Sequence, residues 1–388
     1  MTSGASARQV FYGVRLFDGL ALREDCALLV EDGAVRGIVA VAERPRGGAQ
    51  CDLGGGVLAP GFVDWQVNGG GGALFNATPT PEAIGAIAGA HRREGTTAIL
   101  PTVITDAPEV LAAALAAARE AVGSVAGAFG VHVEGPYIDA RRKGVHRPEF
   151  MRVMREEDAE QLVAAAAGAM VVTVAPAAVG LDLIARLAAA GVIVSLGHAE
   201  ASAEEAGAAF AAGARAATHL FNAMSQLSSR APGLVGAALA DPTVVCGLIA
   251  DGHHVHDVAM RAAFNAKGAA GIALVSDAMP PAAGGPPAFE LQGRRMTRTG
   301  GRLVAEDGAL AGAAITMLDA VRYVVATLGL PLADALRMAT STPARLLRLD
   351  GRIGRLAPGL RADLVHLSDD LALAGVWVGG LKERVAGR

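Results

Sequence analysis

Val131-His132-Val133-Glu134-Gly135-Pro136 is a short β-branched run that ends on a carboxylate and a turn. Three more segments share that form: Ser195-Leu196-Gly197-His198, Thr218-His219-Leu220-Phe221-Asn222-Ala223-Met224 and Val275-Ser276-Asp277-Ala278. Each closes a β-like run with a group that can bind metal or move a proton. The spacing between them sets the fold. From Phe62 to Ala278 the chain repeats one unit: an apolar run, a loop, then an Ala-rich helical stretch.

The candidate strands are Phe62–Val67, Thr97–Thr102, Phe129–Glu134, Val171–Ala175, Val192–Leu196, Ala214–His219, Val244–Ala250 and Ile272–Asp277. Helical stretches lie between them at Pro81–Glu94, Pro108–Val122, Glu156–Ala167, Leu181–Ala190, Ser202–Ala212 and Asp257–Lys267. Pro79 and Pro81 bracket one helix start, Ser202 with Glu205 makes a capping box, and Asp257 is placed to cap another. Eight strands alternating with helices predict an α/β fold, a parallel (β/α)₈ TIM-like barrel. A doubly wound sheet is the alternative, but eight regularly spaced units fit barrel closure better. Pro280 to Gly312, rich in Gly and Pro, delays the last helix (Ile315–Leu328) and reads as a long loop over the barrel mouth.

The ends differ in character. Val10–Phe17, Ala27–Glu31 and Val35–Val41 near the start, and Ala362–Leu367 and Gly375–Val378 near the end, are short β-like runs. Neither set can bury a core alone. The expectation is one small β-sandwich domain built from both termini, residues 1–57 and 352–388, with the barrel (58–351) inserted between them.

At 388 residues the chain has room for that plan, and with 52% hydrophobic but only 4% aromatic residues its core must be built from Ala, Val, Leu and Ile. The net charge of −4 offers no basic stripe, which argues against nucleic acid as a partner. The mean hydropathy of +0.38 raises the question of a membrane span. The longest uncharged stretch, Leu162 to Leu181, is mostly Ala and is interrupted by Gly168, Thr173 and Pro176. Helix end, buried strand and loop explain it better. Met1 to Gln9 lacks an apolar leader core, so a cytoplasmic protein is expected. Cys26, Cys51 and Cys246 are odd in number and never in a CxxC pair, arguing against disulfides and thiolate zinc; Cys246 reads as a core thiol.

Reactive groups of a barrel sit at the C-terminal ends of its strands. Glu134, His198, His219 and Asp277 fall there, on candidate strands three, five, six and eight. Two imidazoles and a carboxylate form the ligand set of many catalytic zinc sites, with a position open for water. Asp277 is then placed to accept that water's proton and pass it to a leaving amine. The ordinary reading of a strand-end histidine is a structural hydrogen bond, and it stays open at this point. His132 shares a face with Glu134 but lies one layer deeper. His91, within His91-Arg92-Arg93-Glu94, reads as part of a solvated helix face; His256 and His366 have no inferable partner. His146, His253, His254 and Arg230 lie on loops that can reach the mouth, or simply meet solvent. There is no P-loop, and Asn68-Gly69-Gly70-Gly71-Gly72 is not a dinucleotide fingerprint.

Leu58-Ala59-Pro60-Gly61-Phe62-Val63-Asp64 resembles the opening of the first strand in the amidohydrolase superfamily. His132-Val133-Glu134-Gly135-Pro136, Gly197-His198, the run Thr218 to Met224, Ile249-Ala250-Asp251-Gly252-His253-His254, Ser276-Asp277-Ala278 and Leu310-Ala311-Gly312 resemble the N-acetylglucosamine-6-phosphate deacetylase family within it. The similarity runs over nearly the whole chain, including the tail segment Gly359 to Leu364.

That resemblance implies a metal-dependent amidohydrolase that converts N-acetyl-D-glucosamine 6-phosphate to D-glucosamine 6-phosphate and acetate in amino-sugar catabolism. An N-acetylgalactosamine-6-phosphate deacetylase or another N-acyl amidohydrolase is the alternative, and a non-catalytic binding barrel is the reading from a different class. It implies Glu134, His198 and His219 as metal ligands and Asp277 as catalytic acid and base. It also implies substrate contacts from Val145, His146, Asn222, Ala223, Arg230, His254, Leu310, Ala311 and Gly312. Arg230 and His254 match phosphate-binding positions, at least one reaching the neighbouring active site of a homodimer. Where many amidohydrolases carry His-x-His on strand one, this chain reads Gln66-Val67-Asn68. The expectation is therefore one divalent metal per subunit, zinc, with iron or manganese as alternatives.

Overall fold

The computed structural model describes residues 8–306 and 308–383. The outermost residues of the expected terminal domain, and Met1 to Ala7 of the leader reading, lie outside the described residues.

Eight parallel strands form the centre, neighbours in chain order: Phe62–Val67 (β1), Thr96–Ile104 (β2), Gly130–Glu134 (β3), Ala169–Val174 (β4), Ile193–Leu196 (β5), Ala216–Ala217 (β6), Val245–Leu248 (β7) and Ile272–Leu274 (β8). Closure between β8 and β1 is thin. Val67 bridges Ala278, the Asn68 and Gly69 amides both donate to the Ala278 carbonyl, and the Asp64 carboxylate accepts from the Ser276 N–H. These strands are buried on both faces, which is why they read as continuous apolar runs. Trp65 fills the barrel axis, fully buried. Gly247 makes room for it, since a Cβ there would lie 2.7 Å from the indole. The floor is plugged by Leu346, Leu347 and Ile353 at the end of the helix Ser341–Leu346.

The helices follow the sequence pattern closely: Pro81–Arg92, Pro108–Ala121, Glu156–Ala165, Leu181–Ala189, Ala203–Ala211, Asp257–Gly271 and Met317–Ala326. Ser202 and Glu205 form the expected capping box, whereas His256, not Asp257, caps its helix, and Thr80 caps the one between the two prolines. The long uncharged stretch resolves into the end of one helix, strand β4 and the short helix Pro176–Val179. No helix among the described residues is long and apolar enough to cross a membrane.

Three further expectations are corrected, and one helix is added. Pro280 to Gly312 is not only loop; it holds an antiparallel three-stranded sheet, Ala288–Leu291, Arg294–Thr299 and Arg302–Ala305. Its turns, Gln292-Gly293 and Gly300-Gly301, have positive φ at both central residues, the geometry that joins two strands most tightly. A helix at Gly233–Ala240 was not anticipated, because Gly-Leu-Val-Gly-Ala-Ala-Leu-Ala is apolar all round and gives no amphipathic signal. Strand β6 is two residues long, because the chain turns outward at His219. His91 faces no solvent: it is fully buried, and its Nε2 donates to the Gly69 carbonyl at 2.9 Å.

Both termini build the sandwich. One sheet has the order Ala34–Ala40, Cys26–Glu31, Arg8–Tyr12, Ala49–Asp52. The other runs Leu381–Lys382, Leu373–Val378, Leu364–Leu367, Val57–Pro60, Arg15–Phe17, Leu22–Arg23. The six-stranded sheet thus includes Val57–Pro60, a few residues beyond position 57. Phe11, Leu16, Leu28, Leu58, Leu364 and Trp377 pack between the sheets, with Phe11 and Trp377 edge to face at 5.3 Å. His366, unassigned in the sequence, is buried and donates to the Gly55 carbonyl.

Candidate active site

Glu134 is the last residue of β3, His198 follows β5, His219 follows β6 and Asp277 follows β8. At the last three the chain must leave the barrel wall abruptly, and φ is 47°, 30° and 48°. A side-chain-bearing residue in that left-handed region costs about 1–2 kcal/mol, and such strain collects where function requires a particular side chain.

These turns converge three ligand atoms. Glu134 Oε1 lies 3.1 Å from His198 Nε2 and 3.0 Å from His219 Nε2, and the two imidazole nitrogens are 3.1 Å apart. All three side chains are almost completely buried. A tetrahedral cation with bonds near 2.1 Å spaces its ligands by about 3.4 Å, so this triangle matches one face of such a site. The tautomer agrees. His198 Nδ1–H donates to the Arg142 carbonyl at 2.8 Å, which leaves Nε2 of the neutral ring as a bare lone pair aimed into the triangle. Burial alone would raise the Glu134 pKa, but hydrogen bonds and charge from His198 and His219 hold it well below the usual range. Burial pulls His219 down, and Glu134 reverses that into a net rise.

Asp277 faces the triangle, tied to it by amides from strand β1. Gln66 Nε2 donates to both Glu134 oxygens (3.2 and 3.3 Å) and to Asp277 Oδ1 at 3.3 Å; Asn68 Nδ2 donates to the same Oδ1 at 2.7 Å. Burial and the Glu134 charge push Asp277 up to about 7, and a cation in the triangle would draw it back down. Beneath, the buried Asp64 carboxylate accepts Ser276 O–H at 2.5 Å and the Gln66 N–H at 3.3 Å. Burial raises Asp64 to about 7. His132 lies below Glu134, bonded through Nε2 to Thr173 Oγ1 at 2.7 Å and pulled down to about 4 by burial.

A cavity of about 400 Å³ opens over these groups. Its walls include Val145, His146, Asn222, Ala223, His254, Leu310 and Gly312 from the expected substrate contacts. His146 is held through Nδ1 to Thr105 Oγ1 at 2.8 Å. His254 Nδ1–H donates to Asp251 Oδ2 at 2.7 Å and faces the cavity, whereas His253 lies against Arg302. Two expected contacts are not on the wall. Ala311 turns into the apolar cluster under the mouth sheet, and Arg230 is exposed on a loop lining a separate depression.

Asp251, Thr105, Arg141 and Arg142 belong to the site without having been assigned roles from sequence. Asp251 and His254 stand three apart at a turn, which is the available signal for a carboxylate that orients an imidazole. Gln66 and Asn68, two residues apart at the end of β1, both reach Asp277 Oδ1. The role of Arg142 is carried by its backbone carbonyl, which leaves no trace in residue type.

Fold and site define a hydrolase barrel whose reactive groups gather at the C-terminal mouth of its strands. The sequence pattern of the Amidohydrolase family matches residues 57–382, and the chain belongs to that family, whose members are metal-dependent. It is similar to an N-acetylgalactosamine-6-phosphate deacetylase of Shewanella sp. (strain ANA-3), 42% identical over 92% of each chain. It is 35% identical to an N-acetylglucosamine-6-phosphate deacetylase of Haemophilus influenzae, covering 92% of this chain and 94% of that one. The crystal structure of N-acetylglucosamine-6-phosphate deacetylase from Pasteurella multocida superimposes with a TM-score of 0.93 at 33% identity, covering 97% of this chain and 99% of the other.

Proposed function

We propose that this chain hydrolyses the acetamide of an N-acetylhexosamine 6-phosphate, with N-acetyl-D-glucosamine 6-phosphate placed first, giving the amino-sugar phosphate and acetate in amino-sugar catabolism. The observation that carries the reading is the buried Glu134–His198–His219 triangle with Asp277 bracketed to it by Gln66. The names of the relatives supply the substrate class.

Glu134, His198 and His219 would hold one divalent cation per subunit, zinc before iron or manganese. Bound there, it would polarise the acetamide carbonyl and make water more acidic. Both amide donors to Asp277 land on Oδ1, so Oδ2 is the oxygen that takes the proton from the attacking water. As the C–N bond breaks, the same carboxyl returns a proton to the departing amine nitrogen. His146, kept neutral by burial and fixed by Thr105, presents Nε2 to the substrate carbonyl side of the cavity. Val145, Leu310 and Gly312 close the wall around the sugar, Asn222 and Ala223 contact it, and Ala311 supports that wall from behind.

The phosphate is assigned to His254, whose ring is oriented by its Nδ1–H bond to Asp251, together with the partner subunit's Arg230. Arg230 does not line the cavity of its own chain, which is the reason a homodimer is part of this proposal. A phosphorylated sugar does not cross a bilayer unaided, so the cytoplasm is the proposed place of action. N-acetylgalactosamine 6-phosphate is the second reading, favoured by the 42% identical relative.

Acetate release from the two epimeric sugar phosphates and from an N-acetyl amino acid, at known metal content, tests the proposal. One of the sugar phosphates should exceed the amino acid in kcat/KM by at least about a hundredfold, since a site built around a phosphate loses its charge-assisted bonds with the other substrate. No acetate from either sugar phosphate at full metal content would overturn it.

A further inference from the structure

At the floor of the barrel, on the face opposite the active site, a second cavity of about 240 Å³ lies between the starts of β5 and β7 and the end of the plugging helix Ser341–Leu346. Three of its lining residues are arginines, Arg215, Arg345 and Arg348, and none is acidic. In a chain with a net charge of −4, three guanidinium groups around one small cavity are a concentrated exception.

The three are anchored rather than loose. Arg215 Nη1 donates to the Phe210 and Ala214 carbonyls (2.9 and 2.8 Å), Arg345 Nη2 to the Ala270 carbonyl (2.6 Å) and Arg348 Nη1 to the Gly191 carbonyl (3.4 Å). Backbone carbonyls hold each side chain without neutralising it, and each guanidinium retains further N–H groups. The acidic neighbour, Asp241, spends Oδ1 on the Thr243 hydroxyl and amide, and its charge faces Arg215 and Lys267. The lining itself carries three positive charges and no negative one.

Arg348 adds an independent sign. Its φ is 57°, just past the end of its helix, where a glycine ordinarily supplies the left-handed residue. An arginine there strains the backbone in exchange for placing its side chain.

We propose that the floor cavity is a binding site for a small oxyanion carrying two or more negative charges, of the phosphate class, clasped by Arg215, Arg345 and Arg348. Such a ligand ties the β5 and β7 starts to the C-terminal plug, so occupancy stabilises the barrel without touching the catalytic mouth. Preorganised bidentate donors give the site its selectivity over chloride.

Isothermal titration of the metal-loaded protein in 150 mM KCl (a buffer choice that screens loose surface charge, about one Debye length of 8 Å) with phosphate, pyrophosphate and glucose 6-phosphate tests this. Two variants accompany it, Arg345→Ala and Arg348→Gly. Arg348→Gly relieves the left-handed backbone, so its melting temperature without ligand should match or exceed that of the parent, which separates lost binding from lost folding. At least one probe should show a second site per chain beyond the catalytic cavity, weakened about tenfold or more in each variant, with deacetylation unchanged. A second site of unaltered affinity in both variants, or no site weakened by either variant for any of the three probes, would overturn the proposal.

Discussion

Asp277→Asn separates catalysis from architecture at this site. Asparagine has the same shape and tolerates φ near 48° as aspartate does. Its carbonyl oxygen can keep both bonds that Oδ1 now accepts, from Asn68 Nδ2 and Gln66 Nε2. The substitution also removes a carboxyl that burial and the Glu134 charge have pushed up to about 7, so it relieves repulsion with Glu134. The fold should therefore melt at the parent temperature or slightly above it. What is lost is the second oxygen as proton acceptor, replaced by an amide that cannot take a proton from water. A positioned general base contributes about 10²–10⁴ in rate, or about 3–5 kcal/mol of barrier, and kcat should fall by that factor. Metal content by mass spectrometry should stay at the parent value. Turnover within tenfold of the parent at equal metal content would refute the role given to Asp277; loss of the metal would instead make it a ligand.

Gln66→Leu deprives two buried carboxylates of a shared donor, which should destabilise the protein by about 1–3 kcal/mol in urea unfolding; an unchanged midpoint would show that the amide is idle. His91→Ala removes a fully buried ring and leaves the Gly69 carbonyl unpaired, an expected loss of about 2–4 kcal/mol. Burial lowers the His91 pKa in the folded chain, so its contribution is present above the ordinary value near 6.5 and is lost as pH falls below it. His91→Gln should accordingly flatten the acid limb of the stability profile by up to about 1.4 kcal/mol per pH unit, and an identical slope would contradict the assignment. Stripping the cation with a chelator should abolish acetate release and lower the melting temperature, both restored by zinc; at a thousandfold excess over Kd the stabilisation is about 4 kcal/mol, and a melt indifferent to zinc would count against the triangle as the binding place.

The barrel was legible because burial on both faces writes each parallel strand as an apolar run, and the site because barrel chemistry gathers where those runs end. Glu134, His198, His219 and Asp277 stand at those ends in the sequence, but a structural role for the histidines stayed open until the family resemblance implied a ligand set. His91 misled, since its neighbours Arg92, Arg93 and Glu94 are polar while the ring itself turns inward to Gly69, a contact twenty-two residues away. The mouth sheet was hidden by the residues that make it possible, because Gln292-Gly293 and Gly300-Gly301 read as loop until the alternation of Phe289, Leu291, Met296 and Leu303 is set beside them. Arg142 acts through its carbonyl and Arg230 lies outside the cavity of its own chain; neither kind of role is expressed in side-chain pattern.

The amides of β1 bear on how many cations the mouth accepts. Glu134 and Asp277 each carry a formal negative charge when ionised, and one divalent ion beside two neutral imidazoles balances both. A second cation would need the lone pairs that Gln66 and Asn68 already occupy with N–H groups. Turning those amides over would offer it carbonyl oxygens in place of imidazoles, while leaving the loaded cradle with a surplus of two positive charges in a buried site. Gln66 holds two carboxylates close together as a neutral donor and leaves Asp277 Oδ2 free of amide donors. Two tightly held ions per chain in metal analysis would break this argument.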